Sequence, residues 1–515
     1  MKENKNNKRT IEYILNKYSF NSITLLVFIA ISMGITADGC EMTLMALFLI
    51  PIKKFYKLTN FQLQLISSIL FLGVAFGSYF TGYILTKFRR RTIVVNSYIA
   101  LFIFHTILSF VPNYIVFSIS RFFIGFFLGL IVPISLNSLS EFLPTKNRAF
   151  ILTSIWVFFS VGQGCNAIFM LIGMPNFETD KMKYVMFCLN SLVIAALILN
   201  DNFFYESPRY LLMKHENENA FELLNNMLVS LNEEKLTEEE KEDLIEENNR
   251  HEEEEKKKEN KFMSLFSKNY FQTTILSIGI MFIISFLLYG ILVISTLTMK
   301  EFNALKNPII ENNTTTINPN NTFYDKLMNN TTTEEPIKTH VKKEHNYPKI
   351  LIGQIISAFV SMFGNLIGGA LCEIQYFGRI KTIYIGFITC FVCSTLILFI
   401  GRDFFTELYS IFLTFTLVAF NVYLTYVVEV YPTKLRDISS GFLFGCLRMS
   451  GFLSQFVYLS MNKIHFLFPY FFSALISFLG AFFANKLPYE TCGQPLDFSF
   501  DKKEDDEEEE KLIKI

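Results

Sequence analysis

Twelve apolar runs divide the chain, each close to the roughly 20 residues needed to cross the hydrocarbon of a bilayer as a helix. They fall near residues 22–50, 61–86, 92–111, 114–140, 148–173 and 183–204, then near 270–297, 349–372, 380–400, 405–430, 438–460 and 465–487. Between the two sets, 205–268 is charged, and Phe221, Leu224, Leu228 and Leu231 recur there at helical spacing. The pattern predicts a 1–21 N-terminus, a 22–204 bundle, a 205–268 linker with short helices, a 269–490 bundle interrupted by a polar 298–348 loop, and an acidic 491–515 tail. Glu252–Lys258 reads as solvated linker and Asp501–Glu510 as unstructured tail.

Basic residues set the orientation. Lys2, Lys5, Lys8, Arg9 and Lys17 precede the first run, which is too long for a cleaved signal segment. Lys87, Arg89, Arg90 and Arg91 follow the second, Lys146 and Arg148 the fourth, Arg379 and Lys381 the eighth, and Lys434 and Arg436 the tenth. All lie on one side, which the positive-inside rule makes cytosolic, so both termini are expected in the cytosol. Lys53, Lys54 and Lys57 run against the rule and are outnumbered. The 298–348 loop then faces the lumen or exterior, and its Asn-x-Thr sequons at Asn312, Asn313, Asn320, Asn329 and Asn330 are expected glycosylation acceptors.

Composition narrows the class. Of 515 residues, 51% are hydrophobic, 18% are charged and 58 are Phe, at a net charge of −1, which argues against a soluble or nucleic-acid-binding domain. Eight cysteines are scattered, and the Cys390/Cys393 pair sits in an apolar run without a His or acidic partner, so packing rather than metal binding is expected. His105 is a lone membrane histidine, read as a packing or hydrogen-bonding residue. No Gly-Lys pair supplies a phosphate loop. These signals describe a multi-pass protein, not an enzyme, with no cofactor and no metal, working as a monomer in a plasma or intracellular vesicle membrane.

Self-similarity then gives the architecture. Glu141-Phe142-Leu143-Pro144-Thr145-Lys146-Asn147-Arg148 and Glu429-Val430-Tyr431-Pro432-Thr433-Lys434-Leu435-Arg436 both read E-x-x-P-T-K-x-R, 288 residues apart. Arg90 and Arg379, in the loops after the second and eighth runs, are 289 apart. Two matches at one offset predict an all-α membrane protein of twelve transmembrane helices in two six-helix pseudo-repeats. Proline ends each fourth helix, and the Glu and Arg of each motif are placed to bridge its short loop.

These residues resemble the major facilitator superfamily, and within it the organic-ion and synaptic-vesicle-glycoprotein branch. Ala37-Asp38-Gly39-Cys40-Glu41-Met42 is similar to that branch's A-D-x-x-E-M segment. Glu206-Ser207-Pro208-Arg209-Tyr210-Leu211 is similar to E-S-P-R-x-L, which sugar porters share. Leu487-Pro488-Tyr489-Glu490-Thr491-Cys492-Gly493 is similar to L-P-x-E-T-K-G, and Arg121 to Gly125 to the R-x-x-x-G of helix four. The loop Gly82–Arg91 departs from G-x-x-x-D-x-x-G-R-R, with Thr86 for the acid and Arg89 for the glycine; Glu373 is the corresponding acid in the second half, and Cys492 replaces a lysine. The resemblance implies two halves rocking about a central cavity, with Arg90, Arg91, Glu141, Arg148, Glu206, Arg209, Arg379, Glu429, Arg436 and Glu490 as cytosolic gating residues.

Charges inside membrane helices are costly and usually functional. Asp38 and Glu41 lie in the first helix, Arg121 in the fourth and Arg448 in the eleventh. At about 1.5 Å per residue, Arg448 falls about 15 Å into its helix, near midplane. Asp38 and Arg121 fall at similar depth, so they are expected to pair, as an acid and this arginine do in related proton-coupled porters. Arg448 is the expected substrate contact, its forked guanidinium suiting carboxylates; Glu41, Gln163 and Asn166 are further polar candidates. Gly125, Gly129, Gly162, Gly164, Gly441 and Gly445 are expected close-packing sites. The reading is a secondary active or facilitative transporter of a small organic ion, such as a carboxylate, by alternating access, with a proton as the candidate coupling ion. The alternatives are a sugar porter, against which the missing paired glutamines of Ser277–Ser295 count, and a non-transporting receptor or scaffold.

Overall fold

The computed structural model describes residues 22–144, 148–229, 234–245, 263–267, 270–306, 347–431 and 433–492. These residues are nearly all helical, and no strand occurs among them. Eleven helices are long and apolar enough to cross a membrane: α1 Ser22–Phe55, α2 Asn60–Leu85, α3 Arg90–Phe110, α4 Tyr114–Phe142, α5 Arg148–Gly173, α6 Thr179–Phe203, α7 Phe271–Asn303, α8 Tyr347–Glu373, α9 Gly378–Gly401, α10 Asp403–Val430 and α11 Ile438–Ile464. A shorter apolar helix, α12 Phe468–Ala484, completes the expected twelve with 17 residues, at the lower limit for a span. The apolar runs therefore match the eleven spans and the shorter α12. Several boundaries shift: α1 runs on to Phe55, α11 to Ile464, and helix continues from α7 through Lys306 and resumes at Tyr347, so the interhelical loop is shorter than 298–348.

Close crossings rest on glycine. A Cβ on Gly125 would sit 2.1 Å from the Leu70 carbonyl oxygen of α2, and one on Gly162 would sit 2.1 Å from the Thr36 carbonyl oxygen of α1. The backbones of α2/α4 and α1/α5 therefore touch. Gly129 behaves alike, whereas Gly445 accommodates the Tyr79 ring, and Gly164 and Gly441 are less crowded. The halves meet along two seams, α2 against α11 and α5 against α8. Helix α1 is buried on every face from Gly34 to Leu49, as a central helix without a lipid-facing stripe must be.

Two short helices, Pro208–Met213 and Asn217–Val229, follow α6, and Phe221, Leu224 and Leu228 bury their apolar edge as the spacing implies. The sequons at Asn312, Asn313, Asn320, Asn329 and Asn330, Leu231, Lys146, the 1–21 terminus, Glu252–Lys258, the 493–515 tail and the side chains of Thr86 and Arg436 lie outside the described residues.

Candidate functional site: a buried charge cluster between the halves

The expected Asp38–Arg121 pair does not form. Arg121 Nη1 instead donates to Glu41 Oε2 at 3.0 Å, and Glu41 Oε1 also pairs with His105 Nε2. Asp38 Oδ2 lies 3.6 Å from Arg448 Nη2. The reason is helical phase. Three residues turn a helix by about 300°, leaving Asp38 and Glu41 about 60° apart. From one turn of α1, Glu41 faces α3 and α4 within its own half, while Asp38 faces α11 across the interface. Depth along the helix is legible in the sequence, and the three-residue step between the two acids sets their azimuth.

The interhalf pair is buried and incompletely satisfied. Arg448 and Asp38 are 1% and 0% exposed, yet neither Asp38 oxygen nor Arg448 Nη2 or Nε has a hydrogen-bond partner. At 3.6 Å the contact is electrostatic rather than a hydrogen bond. The other guanidinium nitrogen, Nη1, donates to the Tyr289 hydroxyl and meets Met42 Sδ at 3.2 Å, and the guanidinium stands 5.2 Å from the Tyr289 ring centroid. Tyr289 belongs to a π-helical turn, Phe286–Gly290, within α7. Such turns leave backbone groups outside the regular ladder, and Gln455 Nε2 donates to the Tyr289 carbonyl oxygen at 2.9 Å. Sequence reasoning missed Tyr289 and the role of His105; a polar ring in an apolar run opposite a buried arginine was the available signal for the first.

Gln163 lies one helical turn from Asn166 on α5. Asn166 Nδ2 bridges Cys40 O and Thr43 Oγ1, each at 3.2 Å, so it packs α5 on α1. Gln163 Nε2 is buried without a partner, beside a void of about 10 Å³ shared with Thr43 and Gln354.

The repeated motifs converge at one face. Arg90 forks onto Glu141 at 2.8 and 3.0 Å, and Ser207 donates to the same carboxylate. Arg379 forks onto Glu429 at 3.0 and 3.0 Å, and Thr491 donates to it at 2.6 Å. Glu206 accepts the Arg91 amide at 2.9 Å, and Glu490 accepts the Arg379 and Ile380 amides at 2.9 and 3.0 Å, capping the starts of α3 and α9. Carboxylates there favour the positive end of the helix dipole. The bidentate pairs thus join the motif after α4 or α10 to the loop after α2 or α8, a partner choice the motif spacing did not give. Arg148 Nη2 reaches the Leu143 carbonyl at 3.5 Å, and Arg209 is half-buried in the turn capped by Ser207. Burial pushes the Glu206 carboxyl up from its ordinary value, against the pull of the Arg91 amide and the Arg90 and Arg89 guanidiniums.

At this face the halves also bond to each other. Glu373 Oε1 accepts the Phe150 amide in the first turn of α5 at 3.0 Å, so the second half supplies the acid–helix contact. Asn365 Nδ2 reaches Trp156 O and Ser160 Oγ, and Asn137 Nδ2 reaches Ser440 Oγ. Cys492, in the lysine's place, turns its thiol to the Cys372 carbonyl at 3.7 Å.

Two helical bundles joined by a buried charge pair, each braced at the same face by its own copy of an Arg–Glu pair, define a multi-pass transporter of the major facilitator fold. Residues 15–306, more than half of the chain, match the family described as "Sugar (and other) transporter", and the chain belongs to it. It is 25% identical to a putative transporter, svop-1, of Caenorhabditis elegans, over 95% of this chain and 86% of the relative. It is 24% identical to the synaptic vesicle 2-related protein of Xenopus laevis, over 82% and 70%. The structure superposes on a proton:xylose symporter with a TM-score of 0.68 at 15% identity, covering 93% of this chain and 98% of the other, a likeness of fold.

Proposed function

We propose that the chain carries a small organic anion, a carboxylate, by alternating access, with Asp38 taking the coupling proton. The observation that carries the reading is the Asp38–Arg448 contact: two opposite charges 3.6 Å apart, from opposite halves, buried with donors and acceptors unfilled. A buried arginine must keep a counter-charge. A substrate carboxylate accepting from Nη2 and Nε would replace Asp38 in that role, and Asp38, left without its cation, would take a proton. That carboxylate and the proton would then move together with no net change of charge at the Asp38–Arg448 pair itself. When the solute leaves, Asp38 ionises and closes on Arg448 again. Glu41, held by Arg121 and His105 within one half, serves as a fixed support for α1.

The motif face is read as cytosolic, following the positive-inside rule; its Arg–Glu pairs brace each half, and the Glu373–Phe150 and Asn137–Ser440 bonds between the halves are the latch that opens in the inward state. The vesicle relatives favour an intracellular membrane. A sugar-porter reading is favoured by the family's description and by the uncharged Gln163–Gln354 wall. Thermal stabilisation of the purified protein separates the two: carboxylates are expected to raise its melting temperature, more so at acid pH, and Arg448→Lys to abolish the effect. Stabilisation by monosaccharides or organic cations that survives Arg448→Lys overturns the proposal.

A further inference from the structure

On the face opposite the motifs, a cavity of about 610 Å³ opens between the halves. Lys53, Lys54 and Lys57 from the end of α1, Lys300 from α7 and Lys463 from the end of α11 line it, and among the described residues no carboxylate does. Lys53 donates to Asn60 Oδ1 at 3.0 Å, and Lys54, Lys57 and Lys463 are exposed to the cavity mouth. Five like charges around one opening repel one another, and all five stand on the face that the positive-inside rule leaves poor in Lys and Arg. Both costs are explained if the mouth works on anions.

The position fits that use. The helices bearing the lysines are those bearing the buried cluster: Asp38 on α1, Tyr289 on α7 and Arg448 on α11. The cavity floor reaches Leu49, Leu297 and Leu459, which stand 11, 8 and 11 residues beyond those three, or roughly 12–17 Å. A basic funnel over an apolar floor raises the local concentration of anions by about 10-fold or more, and salt screens it. We propose that this five-lysine vestibule is a collecting site for soluble organic anions of two or more negative charges, which it binds loosely and delivers along α1, α7 and α11 toward Arg448. The inference deepens the reading above and rests on it for the solute class alone.

The test reads thiol chemistry in the full-length protein in phosphatidylcholine vesicles, and so needs no turnover. Asn462→Cys places a thiol in the cavity wall, in a Cys188→Ser background that removes the exposed native thiol. At low salt, with each rate divided by that reagent's rate on free 2-mercaptoethanol, a sulfonatoethyl methanethiosulfonate is expected to react about tenfold faster than its trimethylammonium analogue. The preference should collapse at high salt and in Lys54→Gln/Lys57→Gln/Lys463→Gln. Citrate should slow modification by neutral methyl methanethiosulfonate severalfold, where acetate at equal ionic strength and choline do not. That protection should persist in Arg448→Lys, which separates the vestibule from the central site. Equal rates for the two charged reagents after that normalisation overturn the inference, as does citrate protecting no better than acetate. Protection that vanishes with Arg448→Lys, or that phosphatidylglycerol gives in place of citrate, assigns the effect to the central site or to lipid headgroups, and equally overturns it.

Discussion

Replacing Asp38 by Asn removes one charge from a buried pair and keeps the side-chain shape. At 3.6 Å and an effective dielectric constant near 20, the lost attraction is about 4–5 kcal/mol. Mutational experience with one-sided removal of buried pairs gives about 3–5 kcal/mol. Arg448 retains its Tyr289 partner, so the lower half of that range, about 3 kcal/mol, is expected for Asp38→Asn. Arg448→Gln should cost at least as much, because it strands Asp38 and leaves the Tyr289 hydroxyl without its donor. The double variant carries neither charge and should lose well under the sum. Reversible unfolding in mixed detergent micelles measures the four free energies, and the cycle should return a coupling of about 2 kcal/mol or more. Single losses that add to within about 0.5 kcal/mol, the range for independent sites, would show that the two residues do not sense each other and would refute the geometry on which the transport reading stands.

Three further outcomes follow from the described contacts. Glu41→Gln leaves Arg121 and His105 in one half without their carboxylate and should cost about 3–5 kcal/mol in the same unfolding assay; a loss below 1 kcal/mol would contradict a fixed charged support. Gly378 holds φ +61°, and a Cβ there would come within 2.7 Å of the Glu490 carboxyl, so Gly378→Ala should lose about 2 kcal/mol or more from left-handed strain and cap displacement together, against a null effect if the turn relaxes. Burial raises the Glu206 carboxyl, and its Oε2 is unpartnered. The folded state therefore holds the proton more tightly than the unfolded chain does. That stability is fully present below the ordinary carboxylate value and is lost as pH rises through the raised one. Thermal melts should show Glu206→Gln gaining on the native protein as pH climbs through that window; a gap that stays flat with pH would sink the assignment.

Hydrophobic runs revealed the twelve helices because bilayer thickness fixes their length, and the repeated E-x-x-P-T-K-x-R revealed the two halves because duplication copies loops as well as helices. Glu141 and Glu429 were legible as the acids of a repeated motif, but their partners were not: Arg90 and Arg379 reach them through space, from a different loop. Asp38, Glu41, Arg121 and Arg448 were all found by the cost of burying charge. Their pairing was misassigned because depth was weighed without azimuth, and only the three-residue step between Asp38 and Glu41 carried the correction. Tyr289 was hidden by the π-helical turn, which no periodicity announces. Lys53, Lys54 and Lys57 looked like exceptions to a rule until Lys300 and Lys463, distant in sequence, joined them around one opening.

The central claim is that solute and proton travel together through the Asp38–Arg448 contact. Uptake of a labelled carboxylate into proteoliposomes under an acid-outside gradient tests it most directly. Accumulation should exceed equilibrium in the native protein, while Asp38→Asn should exchange solute across the membrane yet accumulate none. Concentrative uptake that persists in Asp38→Asn, or that ignores the imposed pH gradient in the native protein, would contradict the account.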